Sequence, residues 1–229
     1  KYKNCRIEWA VKRLSFDVLK NNRLIDKLHV LDNDALNKLK SYRNKVSGKL
    51  KNQKFLSNKK YDLVISMDDE YEACELAAKV NSKKIIGAYL KNSQRAYTKD
   101  SSLWFDMGII SRFGKQRADA LKAINKKTHP EIIHKILGLK YRKQEPILIL
   151  NKKELEFGKK FAKKNSIKKA DIVIGINTGA GGRWEDKKLS VDKTAELIDK
   201  LNNQIKNAKI LLFGGPEEAE RNGKIKQVV

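Results

Sequence analysis

The sequence predicts an α/β fold with a largely parallel sheet, because short apolar runs alternate with segments of helical spacing. The apolar runs lie at 5–11, 27–32, 61–67, 83–89, 171–177 and 209–213. Between them, apolar residues recur at intervals of three and four over 34–57, 70–80, 152–165 and 191–206. A helix between two strands returns the chain to the same edge of the sheet, so the strands are expected to pair in parallel.

The chain is expected to form two domains. The segment from Leu139 to Glu145 is polar and ends at Pro146, directly before an apolar run and a predicted helix. A polar connection of this kind is typical of a domain boundary. We therefore predict one domain over 1–143 and a second over 144–229.

Composition limits the function classes. The chain has 229 residues, is 40% hydrophobic and carries a net charge of +24, and this hydrophobic content argues against disorder. The 51 cationic residues are spread along the chain, and the sequence contains no helix-turn-helix, zinc-finger or RNP signature, which argues against nucleic-acid binding. Instead, this charge suits an enzyme working at an anionic membrane surface.

Cysteine usage and hydropathy bear on location and metal binding. Cys5 and Cys74 lack the spacing of metal ligands and need not pair, which indicates a reducing cytoplasm. No signal peptide and no run of about 20 apolar residues is evident. The three histidines form no metal or triad pattern, so we predict no metal site, and His29 is read as a residue of a strand.

A glycine-rich turn at 177–182 is the strongest functional signal. Asn177, Thr178 and Gly179 follow a predicted strand, and Ser190 is a candidate N-cap for the next helix. Small residues at this point expose backbone N–H groups that bind phosphate, with Arg183, Lys187 and Lys188 adding positive charge. The turn fits neither the P-loop nor the dinucleotide pattern, and an ordinary exposed loop remains the alternative.

A second glycine turn follows the next strand. Gly214, Gly215 and Pro216 precede Glu217 and Glu218 at the start of a predicted helix. Acidic side chains at this position hold ribose hydroxyls in nucleotide-binding folds, but they also favourably charge a helix amino terminus. Both interpretations stay open.

Acidic, basic and aromatic residues mark a candidate acceptor side in the first domain. Asp68, Asp69 and Glu70 end the strand 61–67, where they would contact an acceptor, act as a general base, or cap the next helix. Arg95 and Arg112 lie in the aromatic-rich segment 87–114, which has few regular patterns. The aromatic and basic side chains of such a segment would bind the sugar and phosphate groups of an acceptor, stack on nucleic-acid bases, or pack into their own domain.

The string IGINTGAGGRWEDKKLS, followed by ELIDKL and AKILLFGGPEEAER, resembles the lipopolysaccharide heptosyltransferases, glycosyltransferase family nine. This resemblance implies a GT-B-like fold of two Rossmann-like domains facing a cleft, both incomplete in this chain. It places Thr178 and Gly179 at the donor diphosphate, Lys187 as the neutralising cation and Glu218 at the adenosine. Where the family has Lys-Arg-Trp-Pro, this chain has Lys187, Lys188, Leu189 and Ser190.

The resemblance also implies a reaction. A heptose or related sugar would pass from an ADP-sugar co-substrate to a phosphorylated, lipid-linked oligosaccharide of the lipopolysaccharide inner core, with inversion and without a metal or other cofactor. The enzyme would be cytoplasmic or peripheral on the inner face of the membrane.

The family's catalytic aspartate is expected upstream of this chain, and the rest of its donor site downstream. The alternatives are another nucleotide-sugar enzyme, a non-catalytic nucleotide-binding protein, or a basic nucleic-acid-binding α/β protein.

Overall fold

The computed structural model has the predicted mixed α/β architecture and describes residues 2–31, 59–180 and 187–229. The chain divides into two compact units, Lys1–Ile149 and Leu150–Val229. The helix predicted over 34–57 lies outside the described residues.

Parallel pairing dominates the strands of the first unit. β1 pairs in parallel with β2, with Glu8 opposite Lys27, and β3 pairs in parallel with β4, with Val64 opposite Ile85. β4 also pairs with β5 in the antiparallel direction. The strands are β1 (Glu8–Lys12), β2 (Lys27–Leu31), β3 (Val64–Ser66), β4 (Ile85–Lys91) and β5 (Gln94–Tyr97).

The β4–β5 hairpin is one of the elements that the sequence pattern did not predict. Its two turn residues, Asn92 and Ser93, have φ of 50° and 60°. These values belong to the type I′ turn, which joins antiparallel strands tightly and is usually recognised by an Asn-Gly pair. Because serine takes the place of glycine here, the sequence lacked the usual signal.

Helices of the first unit pack against β4, which belongs to the sheet of β3, β4 and β5 and not to the β1–β2 pair. Cys74, Ala88 and Phe105 make one buried cluster, and Ile86, Ile132 and Ile136 make a second. The helices are α1 (Phe16–Leu19), α2 (Tyr71–Lys79), α3 (Ser102–Phe105), α4 (Gly114–Ile124) and α5 (His129–Ile136), with 3-10 turns at Arg13–Ser15 and Lys99–Ser101.

The second unit is built around one parallel strand pair. β6 (Ile172–Asn177) and β7 (Ala208–Phe213) align so that Asn177 lies opposite Phe213, which brings their carboxyl ends side by side. Three helices accompany them: α6 (Lys152–Lys164), α7 (Val191–Gln204) and α8 (Ala219–Val228), the last preceded by a 3-10 turn at Pro216–Glu218.

The helix α7 connects β6 to β7 as predicted. Its N-cap is Ser190, whose hydroxyl accepts a hydrogen bond from Lys193 N at 3.1 Å. Thr194, Ala195 and Ile198 form its buried face. The second unit therefore contains a βαβ motif with two loops at the carboxyl ends of its strands, where α/β folds bind ligands.

Candidate nucleotide-binding site

The turn after β6 is held by its own backbone and by β7. The side chain of Asn177 accepts a hydrogen bond from Gly179 N at 3.1 Å, and Thr178 N donates to Phe213 O at 2.9 Å. Thr178 is buried, with 5% of its surface exposed. The first three residues of the predicted phosphate-binding turn are thus fixed in place, while Gly181, Gly182 and Arg183 lie outside the described residues.

The Thr178 hydroxyl connects the turn to α8. Its oxygen lies 3.0 Å from Phe213 O and 2.6 Å from Asn222 Oδ1. Because a hydroxyl has one hydrogen, Thr178 donates to one of these two oxygens at a time. Asn222 was not singled out in the sequence, because its partner is 44 residues away.

Glu218 lies between the two glycine turns. A Cβ atom on Gly179 would be 2.6 Å from the Glu218 carboxyl carbon, and one on Gly214 would be 2.5 Å from Glu218 Cβ. Any side chain at Gly179 would therefore push the carboxylate from its position. The glycines allow a buried carboxylate to lie directly against the turn that is predicted to bind phosphate.

The hydrogen bonding of Glu218 is incomplete. Its Oε2 accepts from Gly215 N at 2.7 Å, which closes the turn at Pro216–Glu218, and only 4% of its side chain is exposed. Its Oε1 is buried and accepts no hydrogen bond from any part of the chain that the structure describes. One predicted role, stabilising a helix start, is met by Oε2, while Oε1 retains the capacity to accept from a ligand.

Two lysines follow the first turn. Lys188 Nζ lies 3.8 Å from Glu218 Oε1, and its side chain is only 14% exposed. Lys187 is exposed. Arg221 of α8 donates a hydrogen bond to Leu189 O, which fixes the end of this loop. The site thus has a largely buried cation, Lys188, beside the carboxylate, and the residue before it in the sequence is an exposed cation.

The acidic residues of the candidate acceptor side lie after β3, near the end of β1. Asp68 accepts from Glu70 N at 2.9 Å, so its side chain caps the approach to α2. Glu70 forms an ion pair with Lys12 at 2.6 Å, and this carboxylate raises the pKa of Lys12. Asp69 makes no side-chain hydrogen bond or ion pair within residues 2–31, 59–180 and 187–229, although Arg95 donates to its backbone oxygen at 2.9 Å.

Arg95 and Arg112 occupy different surroundings. Arg95 borders an open depression of about 400 Å³ that is lined by Tyr71, Ser93, Gln94, Arg95, Ile109, Ile110 and Ser111. Arg112 donates through Nε to Asp106 at 3.2 Å and also to the Ser102 hydroxyl, and its guanidinium lies 5.1 Å from the centre of the Tyr97 ring. This part of the aromatic segment packs into its own unit, as one of the three alternatives predicted.

A second buried carboxylate, Glu8, lies at the start of β1. It accepts hydrogen bonds from Lys59 at 2.7 Å and from the Tyr61 hydroxyl at 2.8 Å, and lies 2.7 Å from His29 Nε2. Its side chain is 5% exposed. The Lys59 hydrogen bond is the main cause that lowers the pKa of Glu8 to about 2, and burial raises the pKa of Tyr61 to about 12.

The described residues also bear on metal binding and on membrane spanning. Within the described ranges, no three His, Cys, Asp or Glu side chains gather as a metal site, and no helix is long and apolar enough to cross a membrane. Cys5 and Cys74 are both free thiols, and burial raises the pKa of Cys74 to about 11.

Comparison with known proteins gives matches among solved structures. No protein-family model matches the sequence, and no curated protein matches it. The glycosyltransferase family 9 structure from Veillonella parvula DSM 2008 is 16% identical, with a TM-score of 0.59 over 97% of this chain. The ADP-heptose lipopolysaccharide heptosyltransferase II of E. coli is 13% identical, with a TM-score of 0.55 over 100% of this chain.

The chain spans 57% and 61% of the lengths of those two proteins. At these identities the similarity concerns the fold. The chain therefore has a GT-B-like α/β fold similar to that of these two structures, over a little more than half of their lengths.

Proposed function

We propose that this chain provides the donor-binding site of a glycosyltransferase that uses an ADP-sugar. The observation that carries the proposal is the buried Glu218, which lies against Gly179 with one oxygen that accepts no hydrogen bond from the described residues. The fold supports it, since the two solved structures are glycosyltransferases. The transferred sugar would be a heptose or a related sugar, and the acceptor a hydroxyl of the lipopolysaccharide inner core.

Each donor-site residue has a proposed role. Asn177 orients the Gly179 N–H group, and Thr178 and Gly179 lie along the donor diphosphate. Glu218 Oε1 accepts a hydrogen bond from the nucleoside. Lys187 is close in sequence to this turn and supplies a mobile positive charge. The diphosphate of the donor is an anion, and exposed backbone N–H groups with a nearby cation attract anions.

The chemical step needs charge stabilisation at the leaving group. When the glycosidic bond to the diphosphate breaks, negative charge develops on the diphosphate oxygens, and the turn N–H groups and Lys187 would stabilise it without a metal. Inversion requires a base that removes the proton of the acceptor hydroxyl as that oxygen attacks the opposite face of the sugar. No residue of this chain is assigned that role.

The first unit offers the acceptor side. Asp68 and Glu70 are already engaged with a backbone N–H group and with Lys12. Asp69 therefore remains the acid best placed to contact an acceptor hydroxyl, and Arg95 is the cation best placed to contact an acceptor phosphate. The contacts of Arg112 with Asp106 and Ser102 give it a supporting role.

The net charge of +24 suits an enzyme that works at an anionic membrane surface, and the lipid-linked acceptor would be reached from the cytoplasmic side of that surface. Each lysine near an anionic surface contributes about 1 kcal/mol of attraction. The enzyme would therefore be peripheral.

Titration of the 229-residue chain with ADP by isothermal calorimetry tests the donor site. We expect Glu218→Gln and Lys187→Ala each to weaken ADP binding by about tenfold or more, as expected when one charge-assisted contact to the ligand is lost. Lys193→Ala is the matched control, because Lys193 is exposed on α7 and pairs with Glu196 at 2.9 Å.

Two results would contradict the proposal. The first is the same ADP affinity in wild type, Glu218→Gln and Lys187→Ala. The second is a marked preference for single-stranded RNA over ADP in a competition titration, which would support the nucleic-acid-binding alternative instead.

A further inference from the structure

The helix α6 exposes apolar side chains over its central turns, from Leu155 to Phe161. None of its thirteen residues is buried, and Leu155, Phe157 and Phe161 are 50%, 70% and 40% exposed. The helix α7, of similar length and also amphipathic, buries Thr194, Ala195 and Ile198. The apolar face of α6 is thus available to a partner, whereas that of α7 is used within the unit.

The apolar residues and the lysines of α6 lie on different sides of the helix. At about 100° per residue, the apolar residues occupy an arc of about 160° and the lysines occupy the opposite side. The rings of Phe157 and Phe161 lie 6.3 Å apart on the apolar side. The apolar residues are Leu155, Phe157, Gly158, Phe161 and Ala162, and the lysines are Lys152, Lys153, Lys159, Lys160, Lys163 and Lys164.

The acidic residues of α6 do not break this separation. Glu154 lies within the apolar arc, but its carboxylate turns back to accept from Asn151 N at 2.8 Å in a capping box. Glu156 lies on the lysine side and pairs with Lys159 at 2.8 Å. Six lysines against two glutamates leave the helix strongly positive.

An exposed apolar run leads directly into this helix. Ile147, Leu148, Ile149 and Leu150 are 51%, 62%, 37% and 45% exposed, and residues 141–151 form neither helix nor strand. A second group of apolar side chains therefore immediately precedes the amphipathic helix in the chain.

We propose that α6 is a membrane-contacting helix, which lies in the surface of an anionic bilayer with Phe157 and Phe161 among the acyl chains. The composition favours lipid over a protein partner, since protein interfaces are depleted in lysine and interfacial helices are rich in it. Lysines on the opposite side extend to the headgroups on their flexible stems. This surface does not depend on the proposed transferase activity.

Two measurements on the 229-residue chain test the proposal. Phe157→Trp places an indole on the apolar face, and its fluorescence should be quenched by brominated acyl chains in vesicles that contain phosphatidylglycerol. The double variant Phe157→Ser with Phe161→Ser should reduce sedimentation with the same vesicles by about tenfold or more, because two aromatic side chains no longer leave water.

The controls separate insertion from simple charge attraction. Leu197→Ser changes an apolar residue of α7 that is 36% exposed, and we expect it to leave vesicle binding unchanged. Lys153→Gln with Lys160→Gln should weaken binding more than the matched pair Lys193→Gln with Lys200→Gln on α7. Vesicles of phosphatidylcholine alone should bind weakly in every case.

Three outcomes overturn the proposal. One is unchanged vesicle binding by the double phenylalanine variant when circular dichroism shows intact helices. Another is the absence of any added quenching in Phe157→Trp. The third is a dimer, detected by sedimentation velocity without lipid, that the double variant abolishes while vesicle binding persists, which would assign the face to a second copy of this chain.

Discussion

Two buried carboxylates, one in each unit, differ in how many hydrogen bonds and ion pairs they form. The Glu8 carboxylate has hydrogen-bonding partners on three side chains and an ion pair with Arg6 at 3.2 Å. The Glu218 carboxylate accepts from one backbone N–H group and has Lys188 at 3.8 Å. Their side chains are almost equally buried, with 5% and 4% exposed.

The difference indicates which carboxylate serves the fold and which serves a ligand. A buried anion is costly unless it is paired and hydrogen-bonded, so the complete shell around Glu8 makes it a stabilising element. The incomplete shell around Glu218 is tolerated beside two glycine turns at the carboxyl ends of β6 and β7, where α/β folds bind ligands. Buried charge with unused hydrogen-bonding capacity is therefore the feature that marks the site.

The largest expected effect comes from removing the charge of Glu8. We expect Glu8→Gln to lower the free energy of unfolding at neutral pH by about 3 kcal/mol, since the pKa falls from 4.5 to about 2 and each unit is worth about 1.4 kcal/mol. Urea denaturation followed by circular dichroism measures the change. ADP binding should be unchanged, because the donor residues belong to the other unit.

The pH dependence sharpens this expectation. Because the pKa of Glu8 is lower in the folded state, its stabilisation is present above about pH 4.5 and is lost as the pH falls towards 2. The difference between wild type and Glu8→Gln should therefore shrink over that window. A constant difference from pH 7 to pH 3 would mean that the carboxylate charge is not what stabilises the first unit.

The contrast between the two carboxylates also shows what the sequence can predict. Most of the strands and the helices α2, α6 and α7 follow from periodicity within short segments, and Ser190 was recognised as an N-cap from its position alone. The Glu8 cluster was not predicted, because its partners His29, Lys59 and Tyr61 are 21, 51 and 53 residues away. Only folding brings those residues together.

The same limit applies within the candidate site. The glycine turns and Glu218 were recognised from local sequence patterns, whereas the Asn222 contact with Thr178 depends on where α8 begins. The resemblance placed Lys187 at the donor diphosphate, which stays a prediction, whereas the neighbouring Lys188 lies 3.8 Å from Glu218 Oε1. That contact depends on the loop geometry, which spacing does not determine.

The next largest effect is expected from Gly179→Ala, which tests Glu218 without changing it. The new Cβ would lie 2.6 Å from the Glu218 carboxyl carbon, so this flexible side chain must move away. We expect ADP binding to weaken by about 10-fold to 100-fold, or about 1.4 to 2.7 kcal/mol, while the free energy of unfolding changes little. Isothermal calorimetry and urea denaturation measure the two quantities.

A nearby glycine provides the control for that substitution. A Cβ on Gly223, one residue after Asn222 in α8, would meet no atom within 4 Å. Gly223→Ala should preserve ADP binding and stabilise the helix by about 0.5 to 1 kcal/mol. Equal losses of affinity in the two variants would show that helix α8, and not the position of the Glu218 carboxylate, governs binding.

The smallest expected effect concerns Arg112, which extends the comparison to the candidate acceptor side. Its guanidinium is half-exposed and pairs with Asp106, so Arg112→Ala should lower the free energy of unfolding by about 1 kcal/mol. Arg112→Lys should not restore the loss, because lysine cannot bond Asp106 and Ser102 together while stacking on Tyr97. Arg117→Ala, an exposed arginine of α4, is the matched control in urea denaturation.

The donor site gives the second measurement on Arg112. If Arg112 supports the structure of the first unit in the way that Glu8 does, ADP affinity is the same in Arg112→Ala and wild type. If Arg112→Ala lowers the free energy of unfolding by less than about 0.3 kcal/mol, the bonds of Arg112 to Asp106 and Ser102 contribute almost nothing to the fold. Arg112 would then be assigned to acceptor binding and not to the structure of the first unit.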